Sequence, residues 1–485
     1  MTVNKITALI MWFAFSGMVT ADQQNVLWIN IDDQSPWYGA YGDQIVQTPN
    51  IDALASEGVL FERAYAPSPV CSPSRSTIIT GSYAIRIGAH DQRSGRVSGY
   101  QIHLPDGVQT VPELFLAAGY ETYNAGKDDF NFSYERSSLY SIGEFDETFD
   151  NKNWKGDKGS GDWRDVPDGA AFFGQVPVSG GKIVNENTTG KLKQLGYTPV
   201  DQTDVSVPGQ YPDVLEVRQH IANHYNSIMQ TDYELGLLVE RLKRDGLWQN
   251  TIVFFFSDHG SDLPRSKEFL YHEGLHVPLI IVAPGLSEIV KPGVRRAGPV
   301  NLMDVAATSL TLAGLPVPEF MDAQNLFAND YSREFVFSSA DRMSNVIDRV
   351  RSVMGARYHY IRNYKTDRPL MNWGYREMWG LQDASRFSSI TVRRLFEAGQ
   401  LTPTQAAPYG KRVSEELYDL DKDPSELVNL AASADHRAQL NLMRRVLADW
   451  VAETDDKGQY PRSKAALKEI TDRYPSEWLK SPEFQ

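Results

Sequence analysis

Apolar and polar positions along this chain fall into two periods. The run NVLWINID at 25–32 is a short apolar block closed by Asp32 and Asp33, with the length and flanks of a buried parallel strand. In TPNIDALASEG, Thr48-Pro49 forms a helix entry, apolar residues recur at helical spacing and Gly58 is a stop, before the strand VLFERAY. QTVPELFLAAGYETYNAGK repeats helix, Gly119 stop and strand. A long amphipathic stretch at 214–244 leads into the strand TIVFFFSDHG, VPLIIVAP is a further buried strand, and NLMDVAATSLTLAGL a further helix. Strands alternating with helices predict an α/β fold with a mostly parallel sheet flanked by helices.

After about residue 330 the texture changes. REFVFSSAD and VRSVMGARYHYIRNY read as alternating, antiparallel strands, followed by EELYDLDKDPSELVNLA and a C-terminal helix. The expected plan is a catalytic α/β domain over 22–330 and a smaller α+β subdomain over 331–485. Residues 151–210 are rich in Gly, Asp, Lys and Trp with weak periodicity, and read as a loop-rich insertion near the site.

Composition changes the picture in two places. Lys and Arg number 48 against 62 Asp and Glu, a net charge of −14, which argues against nucleic acid as a partner but leaves room for a local cationic pocket. The N-terminus carries Lys5, then the apolar ITALIMWFAFSGMVT ending at Ala21, the layout of a cleavable signal over 1–21. With no other long apolar run, the expectation is an exported protein, periplasmic or secreted, without stable membrane insertion. Against that background Cys71 stands out, because exported chains use cysteines in pairs and this chain has 1.

Candidate chemistry gathers at strand ends, where parallel sheets bind ligands. Asp32 and Asp33 end one predicted strand; Asp258 and His259 end another. Three carboxylates and an imidazole suit a hard divalent cation, although acidic pairs after strands also cap turns. His272-Glu273-Gly274-Leu275-His276 has the form of a zinc-peptidase motif, but that chemistry needs both histidines on one helical face, and Gly274, Pro278 and the strand that follows disfavour such a helix.

Cys71-Ser72-Pro73-Ser74-Arg75 has the C-x-P-x-R form of the sulfatase signature. Together with NVLWINIDD, TPNIDALASEGVLFERAYA, AGK, SDHG and LYDLDKDPSELVNLA in that order, the chain resembles the type I, formylglycine-dependent sulfatases of the alkaline phosphatase superfamily, in particular bacterial carbohydrate sulfatases. The resemblance implies an alkaline-phosphatase-like fold and the oxidation of Cys71 to formylglycine by a formylglycine-generating enzyme. It implies one divalent cation, calcium with magnesium as the alternative, held by Asp32, Asp33, Asp258, His259 and the converted Cys71. Arg75 then holds the nucleophile, a hydrated aldehyde that attacks sulfur, while Lys127 and Lys267 bind the sulfate.

The chain departs from the family where a histidine usually follows the strand lysine, since it reads Lys127-Asp128-Asp129. The leaving-group acid is left open among Lys182, which is also a substrate-binding candidate, His272 and His276, with His272 best poised near neutral pH. A sulfated carbohydrate of carrageenan, ulvan, fucan or glycosaminoglycan type is the expected substrate. Trp154, Trp163, Trp373, Tyr375 and Trp379 are candidates to stack on sugar, and Arg342, Arg349 and Arg351 to grip neighbouring anionic groups. The alternatives are a phosphate mono- or diesterase of the same superfamily and a noncatalytic homologue that binds anionic glycans.

Overall fold

The computed structural model describes residues 23–144, 160–181, 186–343, 345–371 and 387–484. The candidate signal, Trp154, Lys182, Trp373, Tyr375 and Trp379 lie outside the described residues.

The strands in chain order are β1 Asn25–Ile31, β2 Val59–Tyr65, β3 Arg96–Val97, β4 Tyr100–Gln101, β5 Glu121–Asn124, β6 Phe172–Pro177, β7 Thr251–Ser257, β8 His276–Val277, β9 Leu279–Val282, β10 Val294–Asn301, β11 Val336–Ala340, β12 Val350–Met354, β13 Tyr358–Asn363 and β14 Glu415–Asp419. The main sheet runs β10-β2-β9-β7-β1-β6-β5, with β8 beside β2; a second, four-stranded antiparallel sheet runs β11-β12-β13-β14. All residues of β1 and β7 are buried, as their unbroken apolar composition requires. Val26 and Trp28 face one apolar core, and Leu27, Ile29 and Ile31 face the other on the opposite side of the sheet.

Two features differ from the sequence reading. VPLIIVAP does form a buried strand, β9, but it pairs antiparallel with both β2 and β7, so the sheet is mixed. Strand direction leaves no mark on a run buried on both faces. The edge strand β10, VRRAGPVN, was not anticipated, because its Arg-Arg and Gly-Pro steps break any apolar pattern; it pairs parallel with β2 and shifts register between Arg296 and Pro299.

The pairing of β1 with β7 sets up the site. It is parallel and in step from Asn25 opposite Thr251 to Ile31 opposite Ser257, so Asp32-Asp33 and Asp258-His259 leave the sheet side by side. From β2 the chain crosses into the helix Cys71–Thr80, every residue of which is buried although its composition is polar. Three of its hydroxyls are satisfied within the helix: Ser76 donates to the Ser72 carbonyl, Thr77 to Pro73 and Thr80 to Ser76. Gly81 closes the helix in the left-handed region at φ 64°.

Candidate active site

Residue 71 opens its helix, preceded by Val70, which supplies no side-chain cap. The first-turn N–H groups therefore add positive potential at residue 71. The Cys71 Sγ lies 3.3 Å from His259 Nε2, 3.9 Å from Asp33 Oδ1 and 3.8 Å from Lys267 Nζ. Asp33, Cys71 and His259 are fully buried and present donor atoms within 4.8 Å of one another. Asp33 holds a left-handed backbone, φ 59°, and its carboxylate faces Cys71 Sγ, His259 Nε2 and Lys267 Nζ.

The donor set fits a divalent cation. His259 Nδ1 lies 3.0 Å from the Gly260 carbonyl, which fixes it as the N–H donor and leaves Nε2 facing Asp33 Oδ1 at 3.1 Å and Asp258 Oδ1 at 3.5 Å. Burial opposes a charge on this imidazole, but Asp258, Asp33 and Cys71 outweigh it and push its pKa up to about 10. A proton and a cation compete for that one lone pair, so a cation bound there displaces a proton.

Asp32 and Asp258 are also organised by Arg75, one helical turn beyond residue 71. The Arg75 Nε donates to Asp258 Oδ2 at 2.9 Å and its Nη2 to Asp32 Oδ1. Burial works against this guanidinium, and Asp32 and Asp258 more than restore it, so its pKa is raised. Ser74 Oγ completes the seam by donating to the Asp258 carbonyl at 2.6 Å.

Two lysines reach the carboxylates of this cluster. Lys267 Nζ reaches Asp33 Oδ2 at 2.5 Å as well as Cys71. Lys127 Nζ pairs with Asp32 Oδ2 at 2.7 Å and faces Asp129 Oδ2 at 3.5 Å. Lys127 lines a cavity of about 280 Å³ with Asp32, Arg75, Pro177 at the end of β6 and the 178–180 segment that follows it. Gly180 and Gly181 are required there: a Cβ on Gly180 would sit 2.1 Å from the Asp32 carbonyl oxygen, and one on Gly181 2.1 Å from that of Asp33.

Other sequence candidates fall elsewhere. His272 packs against the rings of Tyr65 and His276, and burial with the charges of His276, His359 and Arg63 drives its pKa well below the usual histidine value. None of these neighbours belongs to the residue 71 cluster, so the structure gives His272 no place there. His276 Nε2 bonds the Glu62 carbonyl at 2.8 Å, and Glu273 accepts from Tyr211 Oη at 2.7 Å. The helix His272–Leu275 is a single turn that ends before His276, which excludes the zinc-peptidase arrangement.

Trp163 is buried, donates to Asp245 and lies under Arg241. Arg351 is fully buried between Asp341 and Asp456, Arg349 also pairs with Asp456, and Arg342 donates to the Gln92 carbonyl at 2.5 Å. Arg349 and Arg351 thus tie the second sheet to Asp456, and Arg342 ties the residues after β11 to the loop that carries Gln92.

Sequence reasoning missed Asp129, Arg93 and His224. Asp129 and Arg93 both take left-handed backbones, φ 58° and 50°, and pair at 3.3 Å. His224, on the long helix Leu215–Arg244, is buried beside Trp37, and neither ring nitrogen has a hydrogen-bond partner among the described residues. The only sequence signal for Asp129 was its place two residues after Lys127.

A family model described as sulfatase matches residues 24–315. The chain is similar to an ulvan-active sulfatase of Formosa agariphila, 28% identical over 481 residues that cover 92% of this chain and 78% of the relative. It is also similar to the human N-sulphoglucosamine sulphohydrolase, 25% identical over 91% of this chain and 92% of that protein. Among solved structures, a protein in complex with its substrate D-glucosamine-2-N,6-O-disulfate superposes with a TM-score of 0.61 at 16% identity, over 90% of this chain and 98% of that one. A phosphonate monoester hydrolase of Agrobacterium radiobacter does so at 0.60 and 18% identity, over 89% and 96%. At such identities these superpositions speak for the fold.

Proposed function

This chain belongs to the sulfatase family, whose model spans more than half of its 485 residues, and from that premise we propose that it is an exported hydrolase that removes sulfate from a sulfated carbohydrate. The observation that carries the reading is the meeting of Cys71, Asp33, His259 and Lys267 at one buried point, with Arg75, Asp32 and Lys127 opening from it into a cavity. Relatives named for ulvan and for N-sulphoglucosamine support carbohydrate as the substrate class.

In this reading Asp32, Asp33, Asp258 and His259 hold calcium, with magnesium the alternative, because a carboxylate-rich set with one imidazole suits a hard cation. The bound cation supplies a Lewis acid beside residue 71, and conversion of Cys71 to formylglycine supplies the nucleophile. The protein's own part is positional. Arg75 fixes Asp32 and Asp258 relative to the helix that carries residue 71. Lys267, beside Asp33 and residue 71, and Lys127, beside Asp32, supply positive charge to hold the sulfonyl oxygens in place while the ester bond breaks. The acid that protonates the leaving oxygen is a separate group, since His272 stands apart.

The test is release of inorganic sulfate by the calcium-loaded protein from ulvan, carrageenan, heparan sulfate and 4-nitrophenyl sulfate, run beside 4-nitrophenyl phosphate. Sulfate release from at least one sulfated carbohydrate is expected. Hydrolysis of the phosphate ester alone, or glycan binding without turnover, overturns the reading.

A further inference from the structure

Five charged side chains alternate in sign in a continuous file beside residue 71. Arg75 pairs with Asp32, Asp32 with Lys127 at 2.7 Å, Lys127 with Asp129 at 3.5 Å and Asp129 with Arg93 at 3.3 Å. The file closes on itself through the backbone, because the Arg93 N–H donates to Ser72 Oγ at 2.8 Å, one residue from Cys71 and on the helix that carries Arg75.

The loop bearing Asp129 is pinned to the same helix, with Asn131 N–H donating to Ser76 Oγ at 2.9 Å. The Ser94 N–H donates in turn to the Asn131 side chain at 3.1 Å, which ties the Arg93 loop to it. Arg93 and Asp129 both sit in the left-handed region, which a residue with a side chain seldom adopts. The hydrogen bonds through Ser72, Ser76 and Asn131 hold these two turns where the side chains meet.

A carboxylate is a poor neighbour for a sulfate site. Asp129 is 1% exposed, next to a lysine that lines the cavity, and by charge alone it repels an anion bound there. Its geometry offers a compensating use. The Lys127 ammonium bonds Asp32 at 2.7 Å, and Asp129, facing it at 3.5 Å, supplies a second carboxylate that keeps it from settling wholly on the first. Arg93 in turn fixes Asp129.

We propose that Asp129, braced by Arg93, is a positioning residue that sets the reach of Lys127 toward the bound sulfate. The inference rests on the sulfatase reading and deepens it by naming what orients one of its sulfate contacts.

The sign of one substitution separates positioning from bystander charge. Inorganic sulfate is titrated calorimetrically into the calcium-loaded full chain, as wild type, Asp129→Asn, Lys127→Ala and the double variant, with Arg93→Gln as a second route to the same loss. If Asp129 positions Lys127, Asp129→Asn weakens sulfate by roughly tenfold despite removing a repelling charge. In the Lys127→Ala background the same change produces no weakening, because the group it acts through is gone. Arg93→Gln weakens sulfate in the same direction, by a smaller factor. Tighter sulfate binding by Asp129→Asn, or an equal loss in both backgrounds, overturns the proposal. A wild type that binds no sulfate overturns the sulfatase reading and the inference with it.

Discussion

Arg75→Gln is the substitution whose cost can be worked most fully from the structure. The guanidinium is 8% exposed and bridges two carboxylates, Asp258 through Nε at 2.9 Å and Asp32 through Nη2. Glutamine is shorter and uncharged, so it leaves both carboxylates without their shared partner beside the buried Asp33. Breaking a buried ion pair by removing one partner costs about 3–5 kcal/mol, and Asp32, whose side chain is 23% exposed, recovers part of that from water. A chain of this length unfolds with an entropy near 1 kcal/mol per kelvin, so the midpoint should fall by about 3–5 °C. Arg75→Lys keeps the charge, but one ammonium cannot span both carboxylates in the planar fork, and it should recover only part of the loss. The assay is thermal unfolding with calcium and with chelator, beside sulfate release. Added calcium should restore part of the lost stability, because a cation offsets the same carboxylates, whereas turnover should stay low. An Arg75→Gln protein that melts within a degree of wild type and turns over normally would refute the bridging role.

Cys71→Ala should leave the melting midpoint unchanged within about 1–2 °C while abolishing sulfate release, since residue 71 makes one small buried contact set and no disulfide; activity in that variant would remove residue 71 from the chemistry. Lys267→Ala should cut turnover by about 10²–10³-fold, the scale of losing one preorganised charge contact, as read in steady-state kinetics. His224 and His276 are each lowered to about 4 by burial. The unfolded chain, titrating near 6.5, therefore binds protons first on acidification; their share of stability is whole above about pH 6.5 and lost towards pH 4, roughly 3 kcal/mol each. His224→Phe should flatten that acid limb in urea melts recorded from pH 7 to 4, and an unchanged slope would show that His224 is not neutral in the fold. Gly180→Ala should lower turnover without loss of helical signal in circular dichroism, because the added Cβ meets the Asp32 carbonyl oxygen at 2.1 Å.

Legibility in the sequence followed the physics of each feature. Strands buried on both faces, such as NVLWINI and TIVFFFS, announce themselves by apolar runs, and Asp32-Asp33 and Asp258-His259 at their ends marked a candidate cation site because parallel neighbours in register end together. The antiparallel setting of β9 was not legible, since direction depends on the connection and not on the residues. Arg351 and Arg349 looked like ligand grips because an arginine in a strand gives no hint of its partner, and Asp456 lies more than a hundred positions away. His272 seemed best poised from its ordinary titration range, which burial then removed. The Asp129 and Arg93 pair depends on two left-handed turns that no residue pattern marks.

The most direct test of the central claim is the mass of the tryptic peptide that carries residue 71, taken from protein matured with a formylglycine-generating enzyme and active in sulfate release. The account predicts a peptide lighter than the cysteine form by the change from CH2SH to CHO, in a proportion that tracks specific activity across preparations. Full activity in protein whose residue 71 is wholly unmodified cysteine would contradict it.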